Sequence, residues 1–148
     1  MGYEIRVLGE LKISARTEDI DLLKAQQVVI DYAKENGLPI PSFESREGLS
    51  AEAIAKIKKI DSDSFFKVTS RGIKDTSNAL TAYSFEEDFE AIIEVIKTDG
   101  VAANGIIYVI GEEQGDVQRY IVKDNVVTNE QAELRWPDGT SAEEVAAR

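Results

Sequence analysis

The side chains able to do chemistry in this sequence are carboxylates, cations and hydroxyls. There is no histidine and no cysteine. That removes the usual general base at neutral pH, the commonest metal ligand, and every thiolate nucleophile, disulfide or Cys-based zinc site. Three charged constellations remain. Glu86, Glu87, Asp88, Glu90 and Glu94 form an acidic run, Glu112, Glu113 and Asp116 an acidic turn, and Lys67, Arg71 and Lys74 a basic loop around Gly72. The acidic run reads either as a solvated helix face or as a surface that presents phosphate-like charge to a basic partner. A tight acidic turn offers the oxygens a divalent cation wants, but residues 112–116 match no calcium-loop spacing. Asp61-Ser62-Asp63-Ser64 starts like such a loop and fails at Phe65 and Phe66, so it reads as an Asx-rich turn into a strand. The basic loop can hold a small anion. The serines lack a histidine partner, and no Gly-x-Ser-x-Gly or phosphate-cradling glycine pattern occurs. No catalytic, cofactor-binding or metal-binding residue is therefore assigned, and no cofactor is expected.

The charge is unevenly spread. The chain of 148 residues has a formal net charge of -11. Residues 1–74 carry twelve Asp/Glu and twelve Lys/Arg, whereas residues 75–148 carry sixteen against five. Clustered Lys/Arg is what phosphate backbones need, so the acidic half is not expected to bind nucleic acid directly. A protein partner with a basic, nucleic-acid-binding surface suits it better, and their association would be salt-sensitive.

The elements that must position these residues follow from periodicity. Tyr3 to Ile13 alternates as one long strand bent at Gly9, in preference to a tight hairpin. A helix follows, with Thr17 as its cap, a stripe of Leu22, Gln26, Val29, Ile30 and Ala33, and Asn36-Gly37 as its end. Ser50 opens a second helix with Ala53, Ile54 and Ile57 inward. Residues 65–69 read as a strand, 71–78 as a loop, and 79–83 as a returning strand. Ser84 and Glu87 have capping-box spacing at the start of a third helix, whose apolar stripe is Phe85, Phe89, Ile92, Ile93 and Ile96. Three strands then form a C-terminal meander, from Gly105, Val117 and Val126, with turns at residues 112–116 and 124–125. The third extended segment is expected to reach Trp136, which reads as a lid on the core in preference to an interface anchor. Pro137-Asp138-Gly139 makes a turn, and Ser141 to Glu144 repeats the capping-box spacing.

This pattern predicts the α+β class: an antiparallel sheet with about three helices packed on one face, in a single domain over residues 1–148. The opening Gly2-Tyr3…Gly9-Glu10-Leu11-Lys12-Ile13 resembles a family of small proteins from bacteriophages and actinobacteria. The same likeness runs through Gly105-Ile106-Ile107…Gly111-Glu112…Gly115-Asp116…Arg119…Val122…Asp124…Val126 to Trp136-Pro137-Asp138-Gly139. It covers both ends and leaves residues 17–80 unmatched. That family has no established activity, so the resemblance implies a phage or prophage context and no site residue. The leading expectation is a non-enzymatic acidic binding protein, such as a phage-encoded inhibitor of a host defence protein. Its contacts would be the acidic residues at 86–94 and 112–116. The first alternative is a small-molecule or nucleotide-derivative binder using Lys67, Arg71 and Lys74; an enzyme with paired carboxylates and a metal ranks last. A structural domain that forms a homodimer through a strand edge at Val126 or Ile13 is a further alternative. With no signal peptide or apolar span in the sequence, a cytoplasmic location away from any membrane is expected.

Overall fold

A computed structural model describes residues 4–40, 47–76, 79–81, 85–113 and 115–147. The order of elements is β1 (Glu4–Ser14), α1 (Thr17–Glu35), α2 (Ala51–Ile60), β2 (Phe66–Thr69), β3 (Gly72–Asp75), β4 (Ala79–Thr81), α3 (Phe85–Thr98), β5 (Ala102–Gly111), β6 (Val117–Lys123), β7 (Val126–Gln131) and α4 (Ala142–Ala146). The strands make one antiparallel sheet in the order β2-β3-β1-β5-β6-β7, with β4 also paired to β1. The protein is α+β, and β5-β6-β7 is the expected C-terminal meander.

Alternation along β1 decides which face is which. Ile5, Val7, Leu11 and Ile13 are buried, while Glu4, Arg6, Glu10 and Lys12 are exposed. Gly9 keeps this parity without an inserted residue, so β1 is one strand from end to end, in register with β5 from Ile5↔Gly111 to Ser14↔Ala102. Gly9 (φ 120°) and Gly105 (φ 155°) both adopt left-handed backbone. A Cβ on Gly9 would lie 2.2 Å from the Ile106 carbonyl oxygen, and one on Gly105 would lie 2.1 Å from that of Glu10. The two longest strands approach each other there so closely that only glycine fits.

The buried face carries the core. α3 lays Phe85, Phe89, Ile92, Ile93 and Ile96 on it, the whole of the expected stripe. Phe89 and Tyr120 of β6 lie 5.0 Å apart, and Phe85 packs edge-on to Phe65 at 5.6 Å. Such aromatic contacts add to the stabilisation that burial alone gives. α2 buries Ala53 and Ile57 beside α3. Its N-cap is Ser50, as expected, whose Oγ accepts the Ala53 N–H at 3.1 Å. Asp99, just past α3, accepts the Ser50 N–H and Oγ–H at 2.9 and 2.7 Å, and so ties the end of one helix to the start of the other.

α1 is different. It begins at Thr17 with Arg16 as N-cap and no side-chain cap bond, and it ends at Asn36-Gly37 as expected. Of the expected stripe, Ala33 is buried, Gln26 and Ile30 are half-buried, and Val29 is exposed. The side chain of Leu22 lies outside the described residues. Val28 and Tyr32 are exposed as well, so the described side chains of α1 contribute little to the core.

The stretch 71–78, read as a loop, contains β3. Thr69 pairs with Gly72 across the two-residue turn Ser70-Arg71, and Ile73 keeps the alternation by burying beside Val68 and Leu11. A single apolar residue in a short charged run is too weak a period-two signal to show in the sequence. β4 returns to β1 rather than to β2. β1 is thus an interior strand at Ile13, and the described strands with an unpaired edge are β2, β4 and β7, so Ile13 offers none. β7 ends at Gln131, short of Trp136, which is 52% exposed and covers no core. The turn after it forms as expected, with the Gly139 N–H bonded to the Trp136 carbonyl at 2.9 Å. Ser141 and Glu144 bond reciprocally as a capping box. Ser84 lies outside the described residues.

Candidate functional site: a basic hollow on the open face of the sheet

α2 and α3 cover one face of the sheet, and the opposite face of β1, β2 and β3 carries exposed charged residues.

On the open face, β2 and β3 place Lys67 and Lys74 directly opposite each other. Lys74 in turn faces Glu10 on β1, and Gly72 faces Lys12. Lys12, Lys67 and Lys74 are all exposed and make no ion pair among the described residues. Gly72 stands between Thr69 and Lys12 in its row and contributes no side chain. The result is a hollow with Gly72 as its floor, enclosed by Lys12, Lys67, Lys74, Arg71, Thr69 and Glu10, with a volume of about 600 Å³. The Thr69 hydroxyl donates to the Gly72 carbonyl at 3.2 Å. Arg71 bonds the exposed Glu47 at 3.4 Å.

Like charges directly opposite on one sheet face repel. The Lys67–Lys74 pair therefore costs stability in the free protein, and a bound anion would relieve it. The three residues of the basic constellation do come together, and Lys12 joins them. Sequence reasoning missed Lys12 because its partner, Gly72, was assigned to a loop; the register of β1 against β3 brings them together.

The acidic residues do not form one row. Glu86 and Glu90 lie near Tyr120: burial pushes its phenol above the ordinary range, and these two carboxylates push it further the same way. Asp88 points elsewhere. Partial burial holds its carboxyl above the usual range, and Asp63, Asp61 and Glu87 add to the shift. Its strongest acidic neighbours therefore come from the half of the sequence that is neutral overall. Asp61 itself is buried, and its two carboxylate oxygens accept the Phe65 and Phe66 N–H groups at 3.1 and 2.9 Å. Residues 61–64 do turn into β2, as expected, but Asp61 bonds the N–H groups four and five residues on and not the one two residues on that an Asx turn would take. Glu94 lines a separate groove between α2 and α3, with Lys56 and Asp99.

Glu112, Glu113 and Asp116 sit in the β5–β6 turn. Glu112 accepts the Glu4 N–H at 3.0 Å, and the backbone of Asp116 bonds Gly111 and Glu113. These are bonds that close a turn. No group of three carboxylates placed to hold a metal ion occurs among the described residues. No helix among them is long and apolar enough to cross a membrane.

The remainder of the open face is less charged. Tyr108 (39% exposed) stands beside Arg119, whose guanidinium bonds Glu130 at 2.7 Å. Bonds to Glu130 and Tyr108 hold that guanidinium more firmly protonated still. Leu8, Ile106 and Ile121 lie half-buried around Tyr108 on the same face. No family model, curated protein or solved structure matches this chain.

Proposed function

We propose that this chain is a binding domain whose ligand is an anion held in the hollow above Gly72. The observation that carries this reading is the convergence of Lys12, Lys67 and Lys74 on one concavity, with Glu10 as the carboxylate that lines it and Arg71 beside it paired to Glu47. In a chain of net charge -11 these lysines form a local excess of cations, and none of Lys12, Lys67 and Lys74 makes an ion pair among the described residues. Lysine ammonium groups on flexible stems suit a phosphate-like anion, which accepts point charges from several directions.

Isothermal titration of inorganic pyrophosphate at low ionic strength tests the reading. Binding is expected, weakening as salt is added. The Lys67→Ala/Lys74→Ala variant should lose about tenfold in affinity or more, since two exposed ion contacts are removed. Lys58→Ala/Lys59→Ala on α2 serves as the charge-matched control and should bind normally. Equal loss in both variants, or no heat of binding in the wild type, sinks the proposal.

A second reading, an acidic surface that docks on a basic protein partner, is supported by the crowding of Asp63, Glu87 and Asp88 over the buried Asp61. That crowd would be its centre, with Glu86 and Glu90 beside it. A phage inhibitor of a host defence protein fits this second reading and not the first.

A further inference from the structure

We infer that the ligand of this hollow is a linear chain of phosphate groups that runs from Gly72 across the sheet to Lys123; the inference rests on the anion-binding reading above. The sheet register places the necessary groups in one row. Gly72 faces Lys12, and Lys12 faces Asn104 on its other side. Gly105 pairs with Val122, so the next position out sets Asn104 beside Lys123. The Asn104 carbonyl oxygen accepts the Asp124 N–H at 2.8 Å, which leaves its amide nitrogen as the donor to a ligand. Lys123 lies on the open face because Tyr120 and Val122, of opposite parity, are buried.

Neighbouring strands are separated by roughly 4.8 Å, so the row from Gly72 to Lys123 spans about 14 Å over three steps. One phosphate seated above Gly72 reaches Lys67, Lys74 and Lys12 and stops short of Lys123. Only an extended anion engages both ends. Asn104 adds a neutral donor between the cations Lys12 and Lys123, which suits an anion with oxygens along its length. Lysine ammonium groups bind phosphate as point charges, which suits oxygens presented along a chain in several directions. Ile106, opposite Glu10, borders the row with an apolar side chain that a nucleoside base could cover.

Titrating the intact protein with phosphate, pyrophosphate and tripolyphosphate at fixed ionic strength tests this directly. Affinity should rise with each added phosphate. Lys123→Ala should weaken tripolyphosphate about fivefold, the size of one solvent-exposed ion contact, while leaving single phosphate unchanged. Lys12→Ala should weaken both. ATP in place of tripolyphosphate separates the two sources of the chain: tighter binding assigns it to a nucleoside, equal binding to free polyphosphate. The inference is overturned if Lys123→Ala has no effect on the longest chain, or if a polyglutamate peptide binds more tightly than tripolyphosphate. The first of those results leaves anion binding at Gly72 intact. If not even pyrophosphate binds, the anion-binding reading falls with it.

Discussion

Asp61 shows how a carboxylate that looks like ligand chemistry serves the backbone instead. It is buried, and both its oxygens are occupied by the N–H groups of Phe65 and Phe66. Those two phenylalanines pack against Phe85, and Phe66 also reaches Phe89, so the carboxylate fixes the entry of β2 beneath α3. Asp61→Ala leaves two buried donors without acceptors and should cost about 2–3 kcal/mol, the range for hydrogen bonds to a charged group. Urea unfolding should show a lower midpoint at unchanged slope. Asp63→Ala, two residues on and exposed, should be neutral or slightly stabilising, because Asp63 only repels Asp88. Equal losses in the two variants would mean that the turn's charge, and not its bonding, holds β2 in place.

The paired glycines of β1 and β5 belong to the scale of elements. Gly9 and Gly105 each press on the backbone of the opposite strand, across the Glu10↔Ile106 pair. The Gly9 N–H is taken by the Asp75 carboxylate at 2.9 Å, at the point where β1 has left β4 and not yet met β3. Gly9→Ala and Gly105→Ala should each cost about 1–3 kcal/mol, the usual range for strained backbone. Because both act on one strand pair, the double variant should cost less than the sum. A fully additive cycle would show that the two strands yield independently. The sequence carried the long elements well, since Phe85 to Ile96 and Ile5 to Ile13 repeat their apolar period several times over. It did not carry β3, where Ile73 alone signals burial between Gly72 and Lys74. The hollow suffered for the same reason. Lys67, Arg71 and Lys74 were legible as a basic run, but Lys12 joins them through a strand pairing 60 residues distant in sequence, and local periodicity carries no information about register.

At the scale of the whole molecule, the sheet separates two fields: lysines on its open face, and carboxylates of α3 and the α2–β2 turn on its helical side. α2 also carries Lys56, Lys58 and Lys59 on that side, but none of them pairs with Asp61, Asp63, Glu87 or Asp88 among the described residues. Salt should therefore relieve the repulsion within this crowd by screening. Asp88 is the group on which this is measured. Its folded pKa is raised, by partial burial first and then by Asp63, Asp61 and Glu87. The folded state therefore holds that proton more tightly than the unfolded chain does. Ionised Asp88 is thus a penalty on folding, complete above its folded pKa and absent below its unfolded one. The positive end of α3 works against this, but Glu86 and Glu87 in the first turn already supply the charge it favours. Asp88→Asn should be slightly more stable than the wild type at pH 7, by about 0.5 kcal/mol or less, since the carboxyl is mostly in solvent. The advantage should shrink as pH falls through the folded pKa of Asp88, and it should shrink again at pH 7 as salt rises to 1 M. Thermal unfolding of the two proteins across pH 3–8, at low and high salt, measures both slopes. A gain that ignores salt would assign the effect to burial alone and remove the acidic crowd as a source of field.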